Sequence, residues 1–413
     1  MKIIQLCSGY DIGYNGGITN YVRSLSESLS TSEHKVLVID SQKEIRQQKY
    51  LFERIKLDKT ILKPFHLNNM IDNSDSEILE RMFSEFKPDI IHIHMMIDLP
   101  LSVINIAKKY SKVIISLHDY SFICNRITMV NSENNLCLNS TSGNKCNKCI
   151  SKLEENKYTK FILKNAKINR ENILYQMFPS YSNPNKHQYI KEAINDVNLL
   201  IAVSNRVKEI YVDNGLVNKN FIVNHIGNIT ADNFIQRKYE NNNIITVGFM
   251  GYFSEYKGAD LVLKFSKYLN KDKFRIKIFG RIDEKYLEQI ELNEIISYEG
   301  IYQQSNISNI LADIDLGLVL PIWEDNAPQV VFEFLNNGIP VIGTKMGGIP
   351  DFINHDNNGY LIKPDNDSIY QLSEIMNSDS FKKNLTFMIS NLKPTKSVEK
   401  HNSEILEIYE SIL

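Results

Sequence analysis

Two doubly wound α/β domains in tandem are the architecture this sequence predicts, and three observations predict it. The chain has 413 residues, too many for one ordinary core. Short apolar runs alternate with longer amphipathic stretches, as in parallel βαβ units. The alternation also stops and restarts around a polar segment, QRKYENNN (236–243), which reads as a linker.

The first half offers the strands KIIQLC (2–7), HKVLVID (34–40), PDIIHIH (88–94), KVIISLH (112–118) and VNLLIAVS (197–204). Each is rich in Ile, Val and Leu without strict alternation, as expected of strands covered on both faces. Helical stretches fall between them, such as GITNYVRSLSESLS (17–30). The second half restarts with ITVGFMG (245–251), FRIKIFG (274–280), LGLVLP (316–321) and IPVIGT (339–344). The last segment, SVEKHNSEILEIYESIL (397–413), is an amphipathic helix with Ile405, Leu406, Tyr409 and Leu413 at helical spacing. A single doubly wound domain with a separate C-terminal module is the competing architecture; the several βα units in both halves count against it. The expected division is therefore 1–235, 243–396 and a final helix, 397–413, that returns to the first domain. Asn- and Lys-rich patches (67–75, 131–148) read as surface loops.

Bulk properties narrow the function. Hydrophobic content of 43% and charged content of 23% are ordinary for a globular protein, and a formal net charge of -2 gives no reason to expect nucleic acid as a partner. No apolar run approaches the ~20 residues of a membrane span. The N-terminal MKIIQLCSGYDIG reaches Gly and Asp too soon for a signal peptide. Five cysteines in a chain this large, without an export signal, do not make a disulfide framework. These readings place the protein in the cytoplasm.

One stretch carries chemistry. WEDNAPQVVFE (323–333) sets Asp325 and Glu333 eight positions apart, directly after a strand that ends in Pro321. Asn326 is a suitable N-cap and Pro328 is tolerated in a first turn, so a helix is expected over about 327–337, with Gly338 as its C′ residue. Val330 with Phe334, and Val331 with Leu335, would pack on the sheet. The N–H groups at such a helix start suit a phosphate, at the end of an open sheet where ligands bind. The plainer alternative is an acid complementing the helix dipole, followed by a solvated glutamate.

The wider stretch WEDNAPQVVFEFLNNGIPVIGTKMGGIPDFI resembles the signature of family 4 retaining glycosyltransferases: an acid, seven residues, a glutamate, then Gly-x-Pro-Val-Ile and Gly-Gly-x-Pro. Other segments extend the resemblance in the same order. Asn15-Gly16-Gly17 resembles the family's N-terminal glycine turn, and PDIIHIH and SLHDYSFIC its strand-end motifs. IAVSN (201–205), GYFSEYKG (251–258) and NNGYLIKPDN (357–366) are similar to later family segments. The resemblance implies the GT-B fold, two Rossmann-like domains facing each other across a cleft. It also implies sugar transfer from a nucleotide-diphospho-sugar, with UDP expected.

By the same resemblance, Glu333 would bind the ribose hydroxyls, and Asp325 would lie beside the donor sugar, one methylene shorter than the family's glutamate. Backbone N–H groups near Asn326, Ala327, Gln329 and Val330 would hold sugar and diphosphate, and Pro328 belongs to the same donor-binding turn. Lys257 matches the lysine that neutralises the diphosphate. Its partner arginine is replaced by Tyr252, and Arg281 is either a substitute or a surface charge. His118 would contact the donor sugar; the alternative is a core histidine bonded to main chain. His92 and His94 share one strand face and read as cleft lining or packing rather than as metal ligands. Gly16 and Gly17 would let a loop approach phosphate or acceptor, and Tyr302 falls where the nucleotide base lies. No metal is required for the chemistry.

Cys124, Cys137, Cys146 and Cys149 fall in one polar stretch ending in Cys-x2-Cys, so a structural zinc is one expectation and reduced, unligated thiols the other. Cys7 reads as core. Lysines and Arg170 within 152–191, interleaved with Phe161, Ile162 and Leu163, read either as a patch for the cytoplasmic face of a membrane or as a solvated helix face. The expected function is retaining transfer to the hydroxyl of a sugar, lipid-linked or other acceptor, in cell-surface polysaccharide or glycolipid synthesis. Tyr252 and Asp325 motivate a rival, a non-catalytic GT-B subunit supporting a partner enzyme. A Rossmann oxidoreductase is disfavoured because no Gly-x-Gly-x-x-Gly turn follows the first strand.

Overall fold

The computed structural model describes residues 1–7, 17–40, 53–56, 73–95, 102–124, 126–131, 135–138, 186–239, 244–303 and 306–413. Gly16, Cys146, Cys149 and the basic stretch within 152–170 lie outside them. The chain divides into two compact units: Met1–Asn224 with Asn402–Leu413, and His225–His401.

The first unit is built on a seven-stranded, all-parallel sheet. Its strands are β1 (Lys2–Cys7), β2 (Lys35–Asp40), β3 (Glu53–Lys56), β4 (Ile90–Ile93), β5 (Lys112–Leu117), β6 (Leu199–Ala202) and β7 (Phe221–Val223), in the spatial order 3-2-1-4-5-6-7. Helices α1 (Gly17–Thr31), α2 (Asn73–Phe86), α3 (Val103–Tyr110), α4 (Lys186–Asn195) and α5 (Asn205–Asp213) connect them. The order reverses between β1 and β4, where Gln5 lies in register with His92 and Leu6 with Ile93. Such a switch point opens a crevice at the carboxyl ends of the strands.

The second unit repeats the plan. β8 (Ile245–Met250), β9 (Phe274–Phe279), β10 (Ile296–Gly300), β11 (Leu316–Val319), β12 (Val341–Thr344) and β13 (Gly359–Ile362) form a parallel sheet ordered 10-9-8-11-12-13, so its switch point lies between β8 and β11. Connecting helices are α6 (Ala259–Tyr268), α7 (Leu287–Glu291), α8 (Ile307–Leu311) and α9 (Gln329–Asn336), and α10 (Asn366–Asn377) and α11 (Phe381–Asn391) follow the last strand. Two apolar clusters are built on the sheet, one around Val262, Phe265 and Ile276, the other around Val331, Phe334 and Ile349. Both units are thus Rossmann-like, with helices covering a parallel sheet.

Four edge or near-edge strands, β3, β7, β10 and β13, have no counterpart in the apolar-run reading. β10 shows why: only Ile296 of its five residues is buried. An outer strand does not need apolar side chains on both faces.

The helix expected over 327–337 begins later. Pro328 occupies the N-cap position, without a side-chain cap, and α9 starts at Gln329. Asn326, the expected cap, is instead buried one turn upstream. Its far end is a Schellman closure: Ile339 N–H reaches the Phe334 carbonyl at 3.0 Å and Gly338 N–H the Leu335 carbonyl at 3.1 Å, with Gly338 at φ +71°.

The second unit begins at His225, before the polar segment read as the linker. The reason is hydrogen bonding. Ile235 N–H donates to the Asn336 carbonyl at 2.8 Å, and the Arg237 guanidinium donates to the Leu311 and Ile314 carbonyls at 2.8 Å each. The final helix, α12 (Val398–Ile412), places Ile405 and Tyr409 in the core of the first unit. Leu413, expected on the same apolar face, is exposed. Among the described residues no helix is long and apolar enough to cross a membrane.

Candidate active site

In the second unit the loops after β8 and β11 meet at the switch point. Ile322 N–H donates to the Tyr256 carbonyl at 3.0 Å, tying one loop to the other. After β8 the chain makes a short 3-10 turn, Glu255–Lys257, and enters α6 through Gly258. Gly258 sits at φ +85°, and a Cβ there would lie 1.9 Å from the Leu320 carbonyl oxygen, so only glycine lets the two loops close. The closure carries Lys257 to Asp325, and Nζ forms an ion pair with Oδ2. The same ammonium lies 5.6 Å from the centroid of the Trp323 ring.

The two neighbouring acids do different work. Asp325 takes Lys257, while Glu324, buried, accepts from Gly347 N–H at 2.7 Å. Gly348 N–H adds a bond to the Asp325 carbonyl at 2.8 Å. The Gly-Gly after β12 thus clamps the turn that presents Asp325. Glu324 is a holding residue, and its role is invisible in a motif read one position later.

Further along, α9 buries Glu333, which is 4% exposed. Tyr302 lies close enough to feel it: burial, and then the Glu333 charge, push the Tyr302 hydroxyl up to about 12. Tyr302 also lines a cavity of about 510 Å³ with Phe279, Glu299, Ile301 and Asn306. Gln329 accepts from the Asn228 side chain at 2.8 Å; Val330 packs against the core cluster under α9, and Ala327 is half-buried. Tyr252 is 51% exposed. Arg281 is also exposed, and its carbonyl accepts from Phe253 N–H at 2.7 Å, which sets it beside the β8 loop.

In the first unit the carboxyl ends of β1, β4 and β5 hold a buried polar cluster. Gln5, His92, His94, Ser116 and His118 share one sheet face, as the parallel registers require. His94 Nδ1 lies 3.3 Å from His118 Nε2, and His94 Nε2 lies 2.5 Å from Gln5 Oε1. Gln5 Nε2 donates to the Tyr409 hydroxyl at 3.1 Å. That hydroxyl is 2.6 Å from His92 Nδ1, and His92 Nε2 is 2.8 Å from Ser116 Oγ. Tyr21 packs edge-on against both His94 and His118. Its hydroxyl is pushed up by burial and drawn back by a hydrogen bond from Ser116. Asp119, next to His118, accepts from Ser121 N–H at 2.9 Å, and burial raises its carboxyl.

His118 sits in a side-chain network, and His92 and His94 belong to it. Sequence reasoning missed Gln5, Ser116, Tyr21 and Tyr409. One signal was available: Gln5 is the polar residue of an otherwise apolar buried strand. Gly17 is the first residue of α1. Cys124 and Cys137 are half-buried near the short antiparallel bridge of Val130 with Leu136. With Cys146 and Cys149 outside the described residues, the zinc expectation rests on spacing, and the zinc content of purified protein is its test.

Comparison with known proteins gives three concordant results. Protein CapJ of Staphylococcus aureus is 24% identical over 221 residues, 50% of this chain and 54% of CapJ. N-acetyl-alpha-D-glucosaminyl L-malate synthase of Bacillus anthracis is 29% identical over 107 residues, 25% of this chain and 27% of that enzyme. The chain thus matches about half or less of the length of these curated relatives. The crystal structure of Anabaena Alr3699/HepE in complex with UDP superposes with a TM-score of 0.67 at 14% identity, covering 100% of both chains. The sequence model for "Glycosyl transferases group 1" matches residues 229–393. That for "Glycosyltransferase Family 4" matches residues 15–227, just over half of the chain. With both sheets wound in the Rossmann order, the chain belongs to glycosyltransferase family 4 and has the GT-B type of fold.

Proposed function

We propose that this protein is a retaining glycosyltransferase that moves a sugar from a nucleotide-diphospho-sugar, with UDP as the nucleotide, to an acceptor hydroxyl. The observation that carries the reading is the Lys257–Asp325 pair at the β8/β11 switch point, with the start of α9 directly behind it. Anionic ligands bind at such points, and a fixed ammonium lowers the barrier for a leaving diphosphate. Asp325 holds Lys257 extended toward that position until a donor arrives.

Glu333 accepts from the two vicinal ribose hydroxyls, which a carboxylate does well. The cavity beside Tyr302 takes the base; its size suits a nucleoside. In the reaction the bond between the anomeric carbon and the diphosphate oxygen breaks, and the acceptor oxygen bonds to that carbon on the same face. The acceptor proton passes to the departing diphosphate. The Bacillus anthracis relative is named for an α-linked product, the anomer that retention gives from an α-configured donor. HepE holding UDP supports the choice of nucleotide. Charge is compensated by Lys257 and the helix N–H groups, so turnover is expected to persist in EDTA. Family resemblance points to cell-surface polysaccharide or glycolipid synthesis.

A thermal-shift panel of UDP, GDP, ADP and their sugars tests the reading. A ligand bound only by the native state raises the melting temperature, so UDP and one UDP-sugar should stand out. If no nucleotide shifts the transition, the donor-site reading fails and a supporting, non-catalytic role takes its place.

A further inference from the structure

We infer that Trp323 is a positioning residue for Lys257: its ring face keeps the ammonium in place when an anionic ligand draws it from Asp325. This role rests on the function proposed above, in which Lys257 meets a diphosphate. The residues involved form one turn, Trp323-Glu324-Asp325. Asp325 N–H donates to the Trp323 carbonyl at 2.8 Å, which closes a γ-turn centred on Glu324. The central acid takes Gly347 N–H, whereas both ends of the turn face Lys257. Asp325 meets the ammonium with a carboxylate oxygen. The Trp323 ring meets it with its face, 5.6 Å from the centroid.

The indole is not placed there by its polar edge. Trp323 Nε1 is buried and has no hydrogen-bond partner among the described residues. Its ring face does meet a charge, at a distance within the ~6 Å over which an aromatic quadrupole attracts a cation. The loops fix the approach. Ile322 N–H donates to the Tyr256 carbonyl at 3.0 Å, and each of these residues directly precedes one partner of the pair. The tie between the loops therefore holds ring and ammonium opposite each other.

The two holders differ in charge. A carboxylate neutralises the ammonium and repels an incoming diphosphate. A neutral ring attracts the ammonium without adding negative charge to the site. An ammonium has three N–H donors, and the Lys257 side chain is 40% exposed, so donors stay in reach of solvent. When a diphosphate takes them, Asp325 can turn to another group of the ligand while the ring stays behind the lysine. Without the ring, Lys257 would lose more side-chain freedom on binding, and affinity for the diphosphate would fall.

Spectroscopy and binding test this role in the full chain. Trp323 is the chain's one tryptophan, so its emission reports this site alone. Ligand-free wild type and Lys257→Met should differ in emission maximum, because a charge at the ring face shifts the indole transition. Identical spectra overturn the inference. UDP is then titrated by calorimetry. Trp323→Leu should weaken UDP binding by about 3- to 30-fold, the range of a cation–π contact, and Trp323→Phe should recover part of the loss. In the Lys257→Met background Trp323→Leu should cost nothing further, since the ring acts through the ammonium. An equal loss in both backgrounds, or no loss in either, overturns the inference. Wild type that binds no UDP sinks the functional reading, and the emission comparison still decides whether ring and ammonium meet.

Discussion

The two units wind their sheets alike and hold different chemistry at the same place. At the β8/β11 switch point the second unit sets an ammonium against a carboxylate, with the lysine side chain 40% exposed. At the β1/β4 switch point the first unit sets an amide, imidazoles and hydroxyls, all buried and bonded to one another. A shared topology therefore dictates where a site forms and not what it binds. Charge in reach of solvent suits an incoming anion. A buried polar network suits a side chain that must keep one orientation.

The sharpest break of that contrast is Lys257→Ala. It should lower kcat for transfer by about 10²–10³-fold, the usual cost of removing one charge-stabilising donor. Lys257→Arg should recover part of it, because the charge returns at a different geometry. Steady-state kinetics with a saturating donor read both; unchanged kcat in Lys257→Ala removes the lysine from the site. Next comes Glu333→Ala, expected to raise the donor KM by about 10- to 100-fold, as loss of a charge-assisted hydrogen bond of roughly 1.5–3 kcal/mol would. An equal fall in kcat with no change in KM would move Glu333 away from the nucleotide.

Gly258→Ala probes the frame under the lysine. The new Cβ meets the Leu320 carbonyl at φ +85°, so the thermal midpoint should fall by several degrees, in line with about 1–2 kcal/mol of left-handed strain plus the clash. A midpoint equal to wild type would mean the two loops do not close as described.

The smallest effect belongs to the first unit. Burial raises the Asp119 carboxyl, so the folded state holds this proton more tightly than the unfolded one. Stability from this group is complete below the unfolded value and declines as pH rises from the unfolded toward the folded value. Asp119→Asn keeps the acceptor for Ser121 and removes the charge. Its midpoint should exceed wild type by about 2 °C at pH 7 and match it below about pH 4. A lower midpoint at pH 7 would show that the charge is welcome there, and the contrast between the units would dissolve.

Legibility in the sequence followed burial. Strands β1, β4, β5, β8 and β11 were readable because both faces are covered and the runs are apolar, and β9 because its alternate residues Phe274, Ile276 and Ile278 are buried. β10 was not, because an outer strand is half polar. The start of α9 was misplaced because Asn326 is a good cap by type, whereas the helix departs from Pro328, whose ψ is an extended 115°. At the site, Lys257, Asp325 and Glu333 were legible through spacing. Glu324 was not, since its partner Gly347 is 23 positions away. Tyr409 was read as one more apolar position of a helix. Nothing local to it reveals that its hydroxyl meets Gln5 and His92.

By itself, then, the sequence determined the alternation of strands and helices, the restart that makes two domains, and the interval between Asp325 and Glu333. These depend on neighbours within a few residues, where periodicity and turn chemistry act directly. Only the tertiary structure decided that Lys257 pairs with Asp325 while Glu324 holds a glycine turn, and that the last helix closes a hydrogen-bonded network on the first strand. Those outcomes depend on strand order, which brings together side chains separated by 68 and 404 positions. At such separations one sequence is compatible with many partners, and packing of the sheets selects among them.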